Sequence, residues 1–162
     1  MIGPRQRVGI GYDSHRFAPG RPLVLGGIEI PHSAGLIGHS DADAVTHALI
    51  DALLGAAGAG DIGQLFPDSD PTWAGANSIE LLRQAVKRVR AQGYQPVQAD
   101  ITVIAEAPQL GPHRARMVAA LAPVLGLEES AISIKAKTNE GMGWIGRGEG
   151  VAVLAVATVE AS

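Results

Sequence analysis

Asp13-Ser14-His15 places a carboxylate and an imidazole two residues apart. On a strand, residues at i and i+2 project to one face, so these two side chains converge. A second imidazole, His47, lies in a segment of helical periodicity but off its apolar stripe, with Asp51 one turn further on. Two histidines and one aspartate make a zinc-type site with a fourth position open to substrate. Asp51, or a nearby carbonyl, is placed to hold the second ring nitrogen of His47. Taken alone, Asp-x-His reads first as a polar turn, and it is the second histidine that brings the metal reading level with it. The distribution of residue types argues for more. Seven of eight Asp fall between Asp13 and Asp70, and four of five His between His15 and His47. Solvation of a surface gives no reason for that clustering, whereas a reaction centre does.

Other groups read in two ways. His39-Ser40-Asp41 stands at the start of the same helical segment, where free N–H groups and the dipole suit a phosphate. His39 there could donate to a phosphate oxygen as its charge changes; taken alone, the segment reads first as Ser40 and Asp41 capping the helix with His39 solvated, because every helix needs a cap. Asp61, Asp68 and Asp70, with Phe66 among them, suit the hydroxyls of a sugar or polyol, or a solvated acidic loop. Ala105-Glu106-Ala107-Pro108-Gln109-Leu110-Gly111-Pro112 is a stiff, nearly uncharged turn whose backbone could read a nucleobase edge. Gly141-Met142-Gly143-Trp144-Ile145-Gly146 fits Gly-x-Gly-x-x-Gly, but a β-rich run follows, so it is no dinucleotide fingerprint. Nor is there a Gly-Lys-Ser/Thr for a P-loop. Residues 138–150 read instead as a Gly-rich hairpin loop presenting Thr138, Glu140, Arg147 and Glu149, either a binding loop or a bare connection.

Periodicity supplies the elements that carry these groups. Arg7 to Tyr12 alternates as a strand, and Leu23–Leu25, Gly26-Gly27 and Ile28–Ile30 read as a hairpin. Asp41 to Ala57 is a helix capped by Ser40 or Asp41 and stopped by Gly58. Residues 58–76, rich in Gly and Pro, read as a long irregular loop. Asn77 with Glu80 starts a second helix in the manner of a capping box, running to Gly93. Asp100 to Glu106 is a strand, Pro112 opens a third helix, and Ile132–Lys137 and Val151–Val159 are further strands. The mixture lacks a βαβ rhythm. It predicts an α+β sandwich, a mixed sheet with about three helices on one face and a small hairpin.

With 162 residues there is chain for one core, so residues 1–162 read as one domain. The absence of Cys excludes disulfides, Cys-ligated zinc and thiol nucleophiles. A net charge of -3 offers no footprint for nucleic acid. No apolar run approaches the ~20 residues of a membrane span, and Met1 to Arg7 lacks the pattern of a signal peptide. A soluble, cytoplasmic protein is expected. Twenty-six Ala and 4% aromatics make a core of small pieces, which oligomerisation would supplement.

In chain order, five segments together carry a resemblance. They are Gly9-Ile10-Gly11-Tyr12-Asp13-Ser14-His15, Gly38-His39-Ser40-Asp41-Ala42-Asp43, and Gly60-Asp61-Ile62-Gly63 with Phe66-Pro67-Asp68. Lys135-Ala136-Lys137-Thr138-Asn139-Glu140 and Gly146-Arg147-Gly148-Glu149-Gly150 complete the set. Over essentially its whole length the chain resembles the 2-C-methyl-D-erythritol 2,4-cyclodiphosphate synthases of non-mevalonate isoprenoid synthesis. The resemblance implies that the 2-phosphate of 4-diphosphocytidyl-2-C-methyl-D-erythritol 2-phosphate attacks the β-phosphorus, giving the cyclic diphosphate and CMP.

It further implies zinc ligands at Asp13, His15 and His47, and a second ion, magnesium or manganese, using the position of Glu140. His39 and Thr138 would stabilise charge in the transition state. Ser40, Asp61, Ile62, Gly63 and the stretch Phe66, Pro67, Asp68, Ser69, Asp70 would bind methylerythritol and its phosphate. Ala105, Pro108, Gln109, Leu110 and Gly111, with Ala136, Lys137, Thr138 and Asn139, would hold the cytidine nucleotide. The family forms homotrimers with sites between subunits. Trp144, Arg147 and Glu149 fall near these sites or near a central cavity that in relatives can accept an isoprenoid diphosphate.

The chemistry fits this division. A phosphate nucleophile with a second pKa near 6 needs no strong base; bringing three anionic phosphates together calls for cations and dipoles. Many relatives carry Arg and Lys where this chain has Ala107 and Gln109, and Thr where it has Lys137, so positive charge is expected to have moved to the strand end. A metal-dependent phosphohydrolase and a non-catalytic trimer binding isoprenoid diphosphates are the alternatives.

Overall fold

The computed structural model describes residues 5–162. The first four residues, part of the segment read above for a leader, lie outside it. In chain order the strands are β1 (Gln6–Pro19), β2 (Leu23–Leu25), β3 (Ile28–Ile30), β4 (Ala34–Leu36), β5 (Tyr94–Ile104), β6 (Ile132–Lys137) and β7 (Gly150–Ala161). The helices are α1 (Ala44–Ala57), α2 (Ile62–Leu65), α3 (Ser78–Ala91), α4 (Arg114–Leu125) and α5 (Gly143–Gly146). The main sheet has the order β4-β1-β7-β5-β6, antiparallel except for the parallel β5–β6 pair; β2 and β3 form a separate hairpin. This is the mixed sheet with three long helices and a small hairpin that the sequence predicts. Among the described residues no helix is long and apolar enough to cross a membrane.

The alternation in β1 has an unexpected polarity. Gly9 and Gly11 are buried and Asp13 and His15 half-buried on the side of α1, while Val8, Ile10 and Tyr12 face outward. The reason lies in α1. Eleven of its residues are buried, since one side packs on β1 and β7 and the other meets α3. Only the line His47, Asp51, Gly55 escapes full burial, and Ala48, Ala52 and Ala56 turn toward β1. A Cβ on Gly11 would overlap the Ala48 carbonyl, and one on Gly9 would overlap the Ala52 carbonyl. Small residues on both elements therefore set the close approach that carries His47 toward Asp13. Gly11→Ala forces the helix away from the strand and is expected to cost about 2–3 kcal/mol, lowering Tm by roughly 4–10 °C. An unchanged melting curve would contradict this packing.

Several boundaries differ from those predicted. The strand predicted over Arg7–Tyr12 continues to Pro19, because β7 pairs with it as far as Arg16 and β4 pairs with Phe17–Pro19. The first helix is capped by Asp43, not Ser40 or Asp41. The predicted irregular loop contains α2 and a 3-10 turn at Pro71–Trp73, each started by an aspartate cap, Asp61 and Asp70. Glu80 pairs with Arg83 and Gln84 instead of closing a capping box, although Asn77 does cap α3. Residues 138–150 are not a hairpin: β6 and β7 are both neighbours of β5, on opposite sides, and the last four residues of the Gly-x-Gly-x-x-Gly run form α5.

Candidate active site

Asp13 and His15 project from the inner face of β1, and His47 from the partly exposed line of α1. His15 Nε2 lies 2.7 Å from Asp13 Oδ2, and His47 Nδ1 lies 3.1 Å from the same oxygen. The imidazoles meet edge to face with centroids 5.5 Å apart. One ligand atom from each residue falls within 4.8 Å of the others, and no other such group of three occurs among the described residues.

The outward hydrogen bonds decide what this cluster can hold. His15 Nδ1 lies 2.8 Å from the Ile37 carbonyl, which can only accept, so Nδ1 carries a proton. His47 Nε2 lies 2.8 Å from Ser78 Oγ and 3.0 Å from Ser40 Oγ. With Nε2 protonated, both neutral imidazoles turn lone pairs toward a carboxylate oxygen. Three electron-pair donors then converge, a set that only a shared cation or added protons can satisfy. The donor set of two imidazole nitrogens and one carboxylate oxygen fits a zinc-type ion. In the metal-free protein, burial lowers the pKa of His15, but its hydrogen bond and charge interaction with Asp13 outweigh this and raise it. Burial likewise pushes the Asp13 carboxyl up, yet the two histidines hold it below the usual carboxylate value.

Asp51 does not serve His47. It accepts a hydrogen bond from the Ile62 N–H at 2.7 Å and so fastens α2 beside the site, burial raising its pKa. The partners of the second ring nitrogen are instead Ser40 and Ser78, on the loop before α1 and the first turn of α3. Nor is the N-terminus of α1 free for phosphate. The Asp43 carboxylate occupies it, accepting from Thr46 N and Oγ1 as well as from Gly26 N and Gly27 N. These two glycines have φ of 62° and 77°, the left-handed turn that a two-residue hairpin requires.

A cavity of about 520 Å³ opens over the triad, in the usual size range of ligand sites. Besides the triad, His39, Ser40, Ile62, Gly63, Phe66, Pro67 and Asp68 line it. Phe66 packs edge-on against Trp73 at 4.9 Å and stiffens the loop. Of the remaining predicted contacts, Asp61 caps α2 through Gln64 N and Asp70 caps the 3-10 turn through Thr72 N; neither they nor Ser69 line this cavity.

A second cleft, of 310 Å³, lies at the ends of β5 and β6. Ala105, Pro108, Gln109, Leu110 and Gly111 form one wall, and Ala136, Lys137 and Thr138 the other. Glu106 ties the walls together by accepting from Asn139 N at 2.7 Å. Arg114 also lines the cleft, a cation that no motif marks in the sequence because it sits at a helix start. A third hollow, of 220 Å³, is lined by Ser14, His15, Arg16, Trp144 and Glu149, with Arg147 Nε donating to Glu149 at 2.7 Å. Thr138, Asn139 and Glu140 do not line the triad cavity. Within one chain the triad cavity and the cleft at the ends of β5 and β6 are separate.

Comparison with known proteins places this arrangement. The model of the YgbB family matches residues 6–160. The 2-C-methyl-D-erythritol 2,4-cyclodiphosphate synthase of Symbiobacterium thermophilum is 59% identical over 152 residues, 94% of this chain and 97% of that protein. Among solved structures, the bifunctional IspDF from Campylobacter jejuni superposes with a TM-score of 0.93 at 44% identity, over 97% of this chain. The present chain spans only 42% of that one. A 2C-methyl-D-erythritol-2,4-cyclodiphosphate synthase in its CDP-bound form gives a TM-score of 0.87 at 44% identity, covering 95% of this chain and 100% of that one.

Proposed function

The chain belongs to the YgbB family, and from that premise we propose that it closes 2-C-methyl-D-erythritol 2,4-cyclodiphosphate from 4-diphosphocytidyl-2-C-methyl-D-erythritol 2-phosphate. A 2-phosphate oxygen bonds to the β-phosphorus, the bond from that phosphorus to the bridging oxygen breaks, and CMP leaves with that oxygen. One observation carries the reading: a triad whose lone pairs demand a cation shares a chain with a proline-stiffened cleft in which two cations, Lys137 and Arg114, stand beside a single carboxylate, Glu106.

Asp13 Oδ2, His15 Nε2 and His47 Nδ1 would hold a zinc-type ion, which when bound neutralises diphosphate charge and orients the β-phosphorus. The rest falls to the chain itself. His39, exposed on the cavity rim, donates to phosphate oxygens as charge develops. The backbone of Ile62–Gly63 and the Phe66–Asp68 stretch receive the methylerythritol. Pro108–Leu110 and Ala136 enclose the cytosine, and Thr138 with Lys137 and Arg114 meets the phosphates. Glu140 faces solvent and is the group that a magnesium or manganese ion accompanying the diphosphate would use.

The separation of the two clefts supports a homotrimer in which one subunit's nucleotide cleft completes its neighbour's metal site. So does the outer sheet face, where Val8 and Ile10 are 68% and 70% exposed beside Tyr12, Leu154 and Val156. Such a contiguous apolar patch marks an association surface. Around the axis it would enclose an apolar cavity, with Arg147 and Glu149 at one end to meet an isoprenoid diphosphate. Soluble phosphorylated substrates fit a cytoplasmic location.

Incubation with the cytidyl substrate, zinc and magnesium, followed by mass spectrometry, tests the reading. Cyclic diphosphate with CMP is expected. An opened phosphate would mark a phosphohydrolase, and thermal stabilisation without CMP a silent binder. Lys137 supplies exposed positive charge where Ala107 and Gln109 supply none. Lys137→Thr is expected to raise the Michaelis constant about 2- to 5-fold at low salt, the difference shrinking as salt rises. An unchanged constant at both ionic strengths would remove Lys137 from substrate binding.

A further inference from the structure

Ser78 is fully buried at the start of α3, yet its hydroxyl is committed on two sides. Oγ lies 2.8 Å from His47 Nε2 and in direct contact with Asp41 Oδ1. An ionised carboxylate only accepts, so the serine proton points to Asp41. Toward His47 the same oxygen offers a lone pair, and Nε2 must therefore be the protonated nitrogen. Asp41 cannot turn away: Oδ2 accepts from Ser78 N at 3.0 Å and Oδ1 from Asp43 N at 3.2 Å. Its own N–H donates to the Ala76 carbonyl at 3.2 Å. Ser40 Oγ, 3.0 Å from Nε2, receives the Ala42 N–H at 3.3 Å and provides a weaker second acceptor.

We infer that Ser78 and Asp41 are positioning residues that fix the tautomer of His47, so that Nδ1 presents its lone pair to the cation beside Asp13 and His15. Outer-shell carboxylates that orient a ligating imidazole do this directly in many metal sites; here a serine is inserted between them. No titration is needed, only a one-way chain of donors from His47 through Ser78 to Asp41. The inference rests on the metal-centre reading proposed above.

Zinc affinity of the full-length protein, measured by competition with a chromophoric chelator, provides the test. Ser78→Ala is expected to weaken zinc binding about 10- to 100-fold, and Asp41→Asn by a similar factor, because an amide can donate to Ser78 and reverse the chain. The double variant should bind no more weakly than Ser78→Ala, since both changes break one chain. Additive losses, or unchanged affinity in Ser78→Ala, would overturn the inference. Nitrogen-15 spectroscopy of the zinc-loaded wild type is independent of any folding defect. A protonated His47 Nε2 with Nδ1 on the metal is expected, and Nε2 ligation would overturn the relay. If the wild type itself binds no zinc, the metal-centre reading fails instead.

Discussion

Replacing His47 by alanine is expected to lower CMP release by about 10²- to 10³-fold while leaving binding of cytidine, which carries no phosphate, within a few-fold of the wild type. The first half follows from the donor set. Asp13 and His15 alone cannot complete a zinc-type site, and the several kcal/mol of charge stabilisation that a bound ion supplies are lost; each 1.36 kcal/mol is about tenfold in rate. The second half follows from the separation of the clefts, since no residue of the triad touches the walls built from 105–111 and 136–138. Alanine is a good helix former and His47 lies on the partly exposed line of α1, so the fold is expected to survive. Rapid-quench assay of CMP and calorimetry with cytidine check the two halves separately. Equal loss of both would mean that His47 also shapes the cleft that holds the base, contrary to this reading.

Asp43→Ala is expected to destabilise the chain by at least about 4 kcal/mol. The Asp43 side chain is fully buried and satisfies four donors: Gly26 N at 2.8 Å, Gly27 N at 2.7 Å, Thr46 N at 3.0 Å and Thr46 Oγ1 at 2.7 Å. Alanine leaves three backbone N–H groups without an acceptor at a fully buried position, and each such group costs about 1–3 kcal/mol. Against a total stability of about 5–15 kcal/mol, that is a large share. Asp43→Asn should cost less, because its oxygen still serves one pair of donors while its amide opposes the other. Chemical denaturation of the three proteins gives the order wild type, Asn, Ala. A nearly neutral Ala variant would show that this carboxylate does not knit the β2–β3 turn to α1.

The same residue explains where the sequence misleads. Ser40, Asp41 and Asp43 are all good cap residues, and nothing local separates them; Asp43 wins because the Gly26-Gly27 turn brings two further donors to it from another element. Asp51 stands one turn from His47, the spacing that suits a helical partner, but its carboxylate is drawn to the free N–H of Ile62. The actual partner, Ser78, is 31 positions from His47 along the chain and belongs to a separate helix. A side-chain partner set by tertiary contact leaves no periodic trace. By contrast Asp13 and His15 were legible because a pleated strand fixes the i, i+2 relation whatever surrounds it. His47 was legible because it interrupts no apolar stripe on α1.

Local composition also misled in the segment 58–76 and at α5. Gly and Pro read as breakers, yet Asp61 and Asp70 each start a short turn among them. Gly143–Gly146 becomes helical with two glycines, anchored by buried Ile145 and by Glu149 N donating to the Trp144 carbonyl. Tertiary contact overrides propensity in both places. The outward turn of Val8, Ile10 and Tyr12 has a similar lesson. An alternating pattern fixes a strand but not which face is the interior, and here the glycine face is inside because a helix backbone must come close.

The most direct test is turnover by protein stripped of metal. Exhaustive chelation should abolish CMP release, and zinc added back to one ion per chain, with magnesium present, should restore it while the Asp13→Asn protein stays inactive. Undiminished CMP release from protein shown by elemental analysis to hold no metal would contradict the role given to Asp13, His15 and His47.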